Sequence, residues 1–510
     1  MTRSRHDRGT AAALALGAAI GLWSLGALAG GTLKITREQD NTTFDPILTI
    51  QNADIWVMDN MNAGLVRVTE DGLGLEPDLA KEWSISDDAK TYTFKLRDGL
   101  RFSDGSAVTA GDVKFSLERL RDRQDSVMAS MYAIIAAIET PDDGTVVVHL
   151  NEPSAPFLST LAMFAASVVP EQAVKAEGED FATKPVGAGA FKLDEWRRGD
   201  RVTLSRNHNY WEDGRVKLDG VEWVYIPDDN TRMLKLQAGE VDAAIFVPFN
   251  QIDTLQKNPD IQVHLDPSSR EDHLLINHAH EPLDNVQVRR AICMAIDRQA
   301  IVKTVLFGHG QVANSFIPAG ALYHNDNNPT CQYDPDAAGK LLAQAGVGDD
   351  LELKLLIAAG NSKDEQTAVL IKDMLSKIGV ATDIVKEEQG QQWDSTVAGD
   401  YDLSINYWTN DIIDPDEKAT FSLYGKDENK SYYTNYNNPK VTELIDQGRV
   451  TMDPAKRTEI YNEIQKIASE DVNWVDLYYS PFRNASRSYV KGFYQNPTGR
   501  FMLEDTDIVK

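Results

Sequence analysis

The segment Trp408-Thr409-Asn410-Asp411-Ile412-Ile413-Asp414-Pro415-Asp416-Glu417 gathers residue types suited to holding a charged small molecule. An aromatic ring can stack on an incoming group, an amide can donate and accept, and a carboxylate can pair with an amine. A plainer account covers most of its acids. Asp414-Pro415-Asp416-Glu417 is also how a helix begins, with proline in the first turn and acidic residues at the positive end of the helix dipole. That account claims Asp414, Asp416 and Glu417. Asp411 precedes the helix start, so it is the carboxylate left for a solute.

Other clusters carry less. His273, His278 and His280 fit neither a helical pair nor a zinc box, and Leu274, Leu275 and Ile276 place them on a strand, so they read as surface or satisfied histidines rather than metal ligands. Gly187-Ala188-Gly189 lacks the third glycine or the Gly-Lys-Ser ending of a phosphate loop. Ser488 and Lys491 have the serine-to-lysine spacing of penicillin-recognising enzymes without the companion motifs. There is no His-Glu-x-x-His helix and no nucleophile elbow. The sequence therefore predicts binding without catalysis, metal or cofactor.

The elements that must position Asp411 are legible around it. In the second half, Asn285 and Asp297 cap successive helices, and Asp334-Pro335 opens another that stops at Gly346. An alternating strand follows at Leu351, Leu353, Leu355 and Ile357. Ser362 and Glu365 form a capping box for a helix carrying Ala368, Ile371, Leu375 and Ile378 on one face. Strands at 380–385 and 401–407 come next, then helices opened by Asn438-Pro439 and Asp453-Pro454. Strand, helix, strand at these lengths predicts an α/β fold with a parallel sheet covered on both faces, and in such sheets ligands sit beyond the carboxyl ends of strands. The loop holding Asp411 follows the strand at 401–407.

The first half is more mixed. Tyr92, Phe94 and Leu96 alternate as a half-buried strand, Thr109 with Asp112 makes a capping box, and 146–150 is a further strand. Strands at 202–204 and 221–226 precede a helix at 231–238 that ends at Gly239.

The 510 residues are enough for about three domains or one large two-lobed body. With 42% apolar and 25% charged residues the composition is that of a folded globular protein. Fifty-one Lys and Arg against 78 Asp and Glu give a formal net charge of −27, which repels nucleic acid and anionic lipid. Arg3, Arg5 and Arg8, the apolar run at 11–28 and the box Ala27-Leu28-Ala29 form the three-part pattern of a secretory signal peptide over 1–29, cleaved after Ala29. Export to a periplasm-like compartment follows. Export also permits a bridge between Cys293 and Cys331, the two cysteines of the chain, although Cys293 in Arg290-Ala291-Ile292-Cys293-Met294 reads first as a small core hydrophobe on a helix.

Several segments together resemble the extracytoplasmic solute-binding proteins of the peptide, oligopeptide and nickel ABC importers, family 5. The resemblance lies in Ala80-Lys81-Glu82-Trp83-Ser84-Ile85-Ser86, Thr91-Tyr92-Thr93-Phe94-Lys95-Leu96-Arg97-Asp98-Gly99, Phe102-Ser103-Asp104-Gly105 and Ala110-Gly111-Asp112-Val113-Lys114-Phe115-Ser116-Leu117-Glu118-Arg119. Pro185 to Phe191, Tyr210-Trp211, Arg290-Ala291 and Ala295-Ile296-Asp297-Arg298 extend it along nearly the whole mature chain.

This resemblance implies a two-lobed clamshell, with lobe I at 31–65, 185–265 and 483–510, an extra subdomain at 66–184, and lobe II at 266–482. It implies a monomer that traps a peptide or other small solute and passes it to an ABC membrane permease, with no nucleic-acid partner. An exported peptide hydrolase or chaperone-like peptide binder on the same scaffold is the alternative. In dipeptide-binding relatives an aspartate after a strand grips the peptide amine, and it matches Asp411, beside Trp408 and Asn410. Their carboxylate-binding arginine matches Ala358, with Lys363 as the nearest cation, and a site-lining tryptophan matches Gln389. Both departures speak against ordinary dipeptides. Gln51 and Asn52 lie in a region that faces the ligand in relatives.

Overall fold

The computed structural model describes residues 30–348, 351–426 and 430–510. Residues 1–29, which the sequence reads as a signal peptide, lie outside the described residues. Two large sheets organise the chain. The first has seven strands in the order Ile261–Asp266, Phe482–Arg487, Ala243–Ala244, Thr32–Arg37, Gly220–Tyr225, Arg201–Arg206 and Phe191–Arg197. The second has six, in the order Gln311–Val312, Trp474–Tyr479, Glu271–Ile276, Leu403–Trp408, Glu352–Ala358 and Ala381–Glu387. A separate four-stranded antiparallel sheet is built from Ala80–Ile85, Thr91–Leu96, Thr145–Leu150 and Ile135–Asp142.

The chain passes between the two large sheets at 267–270, from Ile261–Asp266 into Glu271–Ile276, and returns at 480–481, from Trp474–Tyr479 into Phe482–Arg487. This double crossing explains where the parallel-sheet expectation stops. Glu352–Ala358 does pair in parallel with Ala381–Glu387 and with Leu403–Trp408. Glu271–Ile276 is antiparallel to both its neighbours, because the chain enters this sheet on one central strand and leaves on the next. The sheet is therefore mixed. Its edge facing the first sheet carries the carboxyl ends of Glu352–Ala358, Ala381–Glu387, Leu403–Trp408 and Trp474–Tyr479 together with both crossings.

Local signals account for most helix starts. Thr109 and Asp112 reciprocate their hydrogen bonds as a capping box on Ala110–Asp122, and Asn285, Asp297, Asp334, Asn438 and Asp453 all cap as the sequence predicts. Helix Ser362–Ser376 starts one residue earlier than the capping-box pattern suggests. Asn361 accepts from the Asp364 N–H, while Glu365 reaches back to the Gly360 N–H, so Asn wins the cap position over the following Ser. Its apolar face, Ala368, Ile371, Met374 and Leu375, packs against the sheet, each larger side chain contributing roughly 1.5–3 kcal/mol by leaving water.

The end of helix Asn52–Met61 is clamped by Gly187 and Gly189. A Cβ on Gly187 would sit 2.2 Å from the Met61 carbonyl oxygen, and one on Gly189 2.5 Å from the Met61 carbonyl carbon. Those two glycines exist for close approach.

Cys293 and Cys331 are bonded, with Cα atoms 5.9 Å apart. The reading of Cys293 as an unpaired core residue is corrected here. Cys293 is buried in helix Val286–Ala295, and the incoming 328–334 segment is pinned beside it by Arg298 Nη2 donating to the Cys331 carbonyl at 2.6 Å and by the Asp334 N–H donating to Met294 at 2.9 Å. The bond closes 38 residues of chain. A Cys331→Ser variant, or reductant, is expected to cost about 2–4 kcal/mol through the freed entropy of the unfolded loop. Urea denaturation with and without dithiothreitol checks this, and superimposable curves would contradict it.

Candidate functional site

The loop after Leu403–Trp408 does not hang in solvent. Ile412 is 1% exposed and lies in the hydrophobic cluster otherwise built from residues 33–245 and 490–508. The Asn410 N–H donates to Ser269 Oγ on the first crossing at 3.0 Å, and the Ser269 N–H donates to the Pro497 carbonyl at 2.9 Å. The loop thus bridges the two lobes beside the crossings.

The acids of this loop divide as chemistry requires. Asp414 is buried and receives two hydrogen bonds from Arg457, Nη1 to Oδ2 at 2.5 Å and Nη2 to Oδ1 at 2.8 Å. Asp416, in the first turn of helix Asp416–Leu423, accepts from Arg449 Nε at 3.1 Å. Both are structural, as the helix-start account holds. Glu417 lies in that first turn as well, and its Oε2 also accepts the N–H groups of Asp411 at 3.1 Å and Ile412 at 3.3 Å, closing the loop onto the helix.

Asp411 has no Lys or Arg within ion-pair distance among the described residues. Its carboxyl lies against that of Glu417, a contact two carboxylates make only when one keeps a proton. Burial pushes Asp411 up to about 7, with the neighbouring charge of Asp59 acting the same way and the Glu417 hydrogen bond opposing. Burial, and then the Asp411 charge, hold Glu417 well above the usual carboxylate range. Asp59, on helix Asn52–Met61, is itself raised to about 6 by burial, against the pull of Arg500. Arg500 is bonded to Glu504 at 2.9 Å.

Asp411, Asp59, Asn62, Asp78, Arg67 and Arg500 line a small cavity of about 50 Å³. One water occupies about 30 Å³ of liquid, so the recess has room for a small group rather than for a whole solute. A second cavity, of about 590 Å³, adjoins it across the same loop and shares Thr498. Its walls come from both lobes: Asn410, Ile412, Pro318 and Tyr479 on one side, Leu73 and Pro497 on the other, with Ser269 and Ser480 of the crossings between them.

Trp408 sits at the carboxyl end of its strand, 5.6 Å from Phe421 and 5.3 Å from Tyr432 between ring centroids, with its indole N–H buried and unbonded. Asn410 lines the larger cavity and also keeps an unbonded buried Oδ1. Gln389 is exposed and accepts from Gln39 of the opposite lobe at 3.1 Å, so it joins the cleft rim. Gln51 and Asn52 stay outside both cavities. Gln51 is the exposed cap position of helix Asn52–Met61, and the next turns of that helix, at Ile55 and Asp59, reach the acidic recess instead. Asp59 lies one turn beyond Ile55, the second acid of that helix after Asp54.

The histidines do not converge. His273 is buried between Glu271, 2.7 Å from Nδ1, and a stacked Trp474 at 4.2 Å, whereas His278 bonds the Asn473 carbonyl and His280 bonds Asp402. Among the described residues no group of three or more metal-ligating side chains forms.

Two lobes joined by a double crossing, with unshared acids and a solute-sized cavity between them, define an extracytoplasmic solute-binding protein. The chain belongs to the family described as bacterial extracellular solute-binding proteins, family 5 Middle, which matches residues 74–431. It is 28% identical to the glutathione-binding protein GsiB of Escherichia coli K12 over 516 residues, covering all of both chains. It superimposes with a TM-score of 0.86 on the periplasmic binding protein DppA of Helicobacter pylori in complex with the peptide STSA, at 28% identity, over 94% of this chain and 99% of that one. The binding protein AgaA of A. tumefaciens R10 in complex with agropinic acid gives a TM-score of 0.83 at 30% identity, over 94% and 99%. The protein is the substrate-binding component of an ABC importer.

Proposed function

We propose that the protein is exported, loses its leader after Ala29, and captures a peptide or other amine-bearing solute between its lobes with the amine on Asp411. The observation that carries this reading is the unneutralised acid pair of Asp411 and Glu417 beside Asp59, enclosed where the lobes meet. An ammonium arriving there lets the pair ionise fully, and that gain in charge pairing is available only to a cationic group. Lobe I would comprise 31–65, 185–265 and 483–510, with 66–184 as its subdomain, and lobe II 266–482. Solute binding then biases a hinge at 267–270 and 480–481 toward closure. The protein acts as a monomer, without nucleic acid and without turning the solute over.

The relatives' ligands bracket the solute class, since glutathione, a short peptide and agropinic acid are bound by similar chains. Native mass spectrometry of the purified protein, followed by thermal shifts with di- and tripeptides, glutathione, agropinic acid, polyamines and nickel chelates, tests the reading. A saturable shift with an amine-bearing compound is expected. Stabilisation only by compounds lacking an amine would remove Asp411 from its role.

A further inference from the structure

We propose that Arg483 is the anion anchor of this site, receiving a carboxylate of the same solute whose amine Asp411 takes. The inference rests on the amine reading above and adds the second end of the solute.

Arg483 is the second residue of strand Phe482–Arg487, directly after the return crossing. Among the described residues its guanidinium makes no hydrogen bond and no ion pair, and its Nε is buried without a partner. It stands over the ring of Phe249 at 4.2 Å and that of Phe246 at 5.4 Å, so apolar walls hold it where water solvates it poorly. Nearby acids are already taken. Asp272 is held bidentately by Arg270 at 3.0 Å and 3.0 Å, by Lys363 at 2.5 Å and by Ser480 at 3.2 Å, while Asp229 is bonded to Arg232. Lys363 is the cation in the segment where the family resemblance looks for a carboxylate clamp, and Asp272 and Asp364 consume it.

An unpaired guanidinium in such surroundings destabilises the empty protein. Burial, followed by repulsion from Arg270, lowers its pKa to about 10. A planar, two-pronged donor left open beside the crossings suits a carboxylate, which it can bind through two parallel hydrogen bonds.

The register adds a geometric condition. Asp272 pairs with Tyr407 and with Tyr478, so these three share one face of the second sheet, and Arg483 adjoins that face through its proximity to Asp272 and Tyr478. Trp408, the next residue, faces the other way. A solute held by both groups would reach from the loop after Leu403–Trp408, where Asp411 lies, to the return crossing beside Arg483.

The test uses the full mature protein and its Arg483→Met and Arg483→Lys variants. The probes are Ala-Ala-Ala, its C-terminal amide, its N-acetyl form, and spermidine, read by calorimetry and thermal shift. The free-acid tripeptide is expected to bind at least about tenfold tighter than the amide. Arg483→Met should lose about 100-fold on the acid and little on the amide, so that the two converge, with part of the loss restored by Arg483→Lys. The ligand-free Arg483→Met protein should melt at the same temperature as wild type or higher, since an unpaired charge has gone. An unchanged acid-to-amide ratio in Arg483→Met overturns the proposal. So does a saturable shift with spermidine and none with any carboxylate probe, or a variant that melts more than about 5 °C lower while binding normally. The amine reading fails separately, leaving Arg483 intact, if the N-acetyl tripeptide binds as tightly as the free amine and Asp411→Asn has no effect.

Discussion

An Asp411→Asn protein is expected to bind its amine-bearing solute about 2–5 kcal/mol more weakly than wild type, because a desolvated charge pair loses one partner. The loss should depend on pH. With Asp411 raised to about 7 beside Glu417, which burial also raises, Asp411 in the empty wild-type protein keeps its proton at pH 6 and has lost it by pH 8. Capturing an ammonium requires ionised carboxyls, so protons leave on binding and affinity climbs with pH up to about 7, by at most about tenfold per proton per unit. Asn removes that slope. The sign for stability is opposite in the empty protein. A carboxyl whose folded pKa exceeds its unfolded value stabilises fully below about 4, and that contribution is lost as pH rises through about 7. Ligand-free Asp411→Asn should therefore be more stable than wild type at pH 8 while binding worse. Calorimetry between about pH 5.5 and pH 8.5, paired with melting curves, measures both; a variant with the wild-type slope would refute the assignment.

Arg457→Ala is expected to destabilise the protein by about 3–5 kcal/mol, the cost of leaving a buried carboxylate without its partner. Arg457 does more than neutralise Asp414. Its Nε bonds the Gly448 carbonyl at 3.1 Å, and its guanidinium lies 5.1 Å and 5.2 Å from the Tyr323 and Tyr461 rings, so truncation also opens packing. Asp416, already raised to about 6 by burial, would meet a second unshielded acid. Because Asp414 sits three residues beyond Asp411, solute affinity should fall along with stability. Adding Asp414→Asn to Arg457→Ala should recover part of the lost stability, since no charge then remains stranded. Urea denaturation of the single and double variants decides it, and a single-variant loss under about 1 kcal/mol would show that water reaches Asp414.

These two residues show what a linear sequence reveals. Asp411 stood out in the sequence because its neighbours had a local reason to be acidic and it did not. That reason held for Asp414 and Asp416, yet their partners Arg457 and Arg449 lie on later helices, and no spacing rule links them. Glu417 was assigned to the helix dipole, although its carboxyl turns back six residues to close the loop on Asp411. Caps and strands were legible because they depend on residues within one turn or one pleat. The disulfide was not, since it requires the 328–334 segment to fold back onto helix Val286–Ala295, which only tertiary contacts specify. Gln51 and Asn52 open a helix that brings Ile55 and Asp59, one and two turns on, to the small cavity. Arg483 gave no signal, because an arginine on a strand is ordinarily paired and the missing partner shows only in three dimensions.

The return passage at 480–481 contains Pro481 and the outward one at 267–270 contains Pro267, and each proline ring freezes one torsion. Two short passages, each stiffened by a ring, narrow the ways in which one lobe can turn about the other. Asn410, fastened to Ser269 in the outward passage, ties the loop that carries Asp411 to that passage.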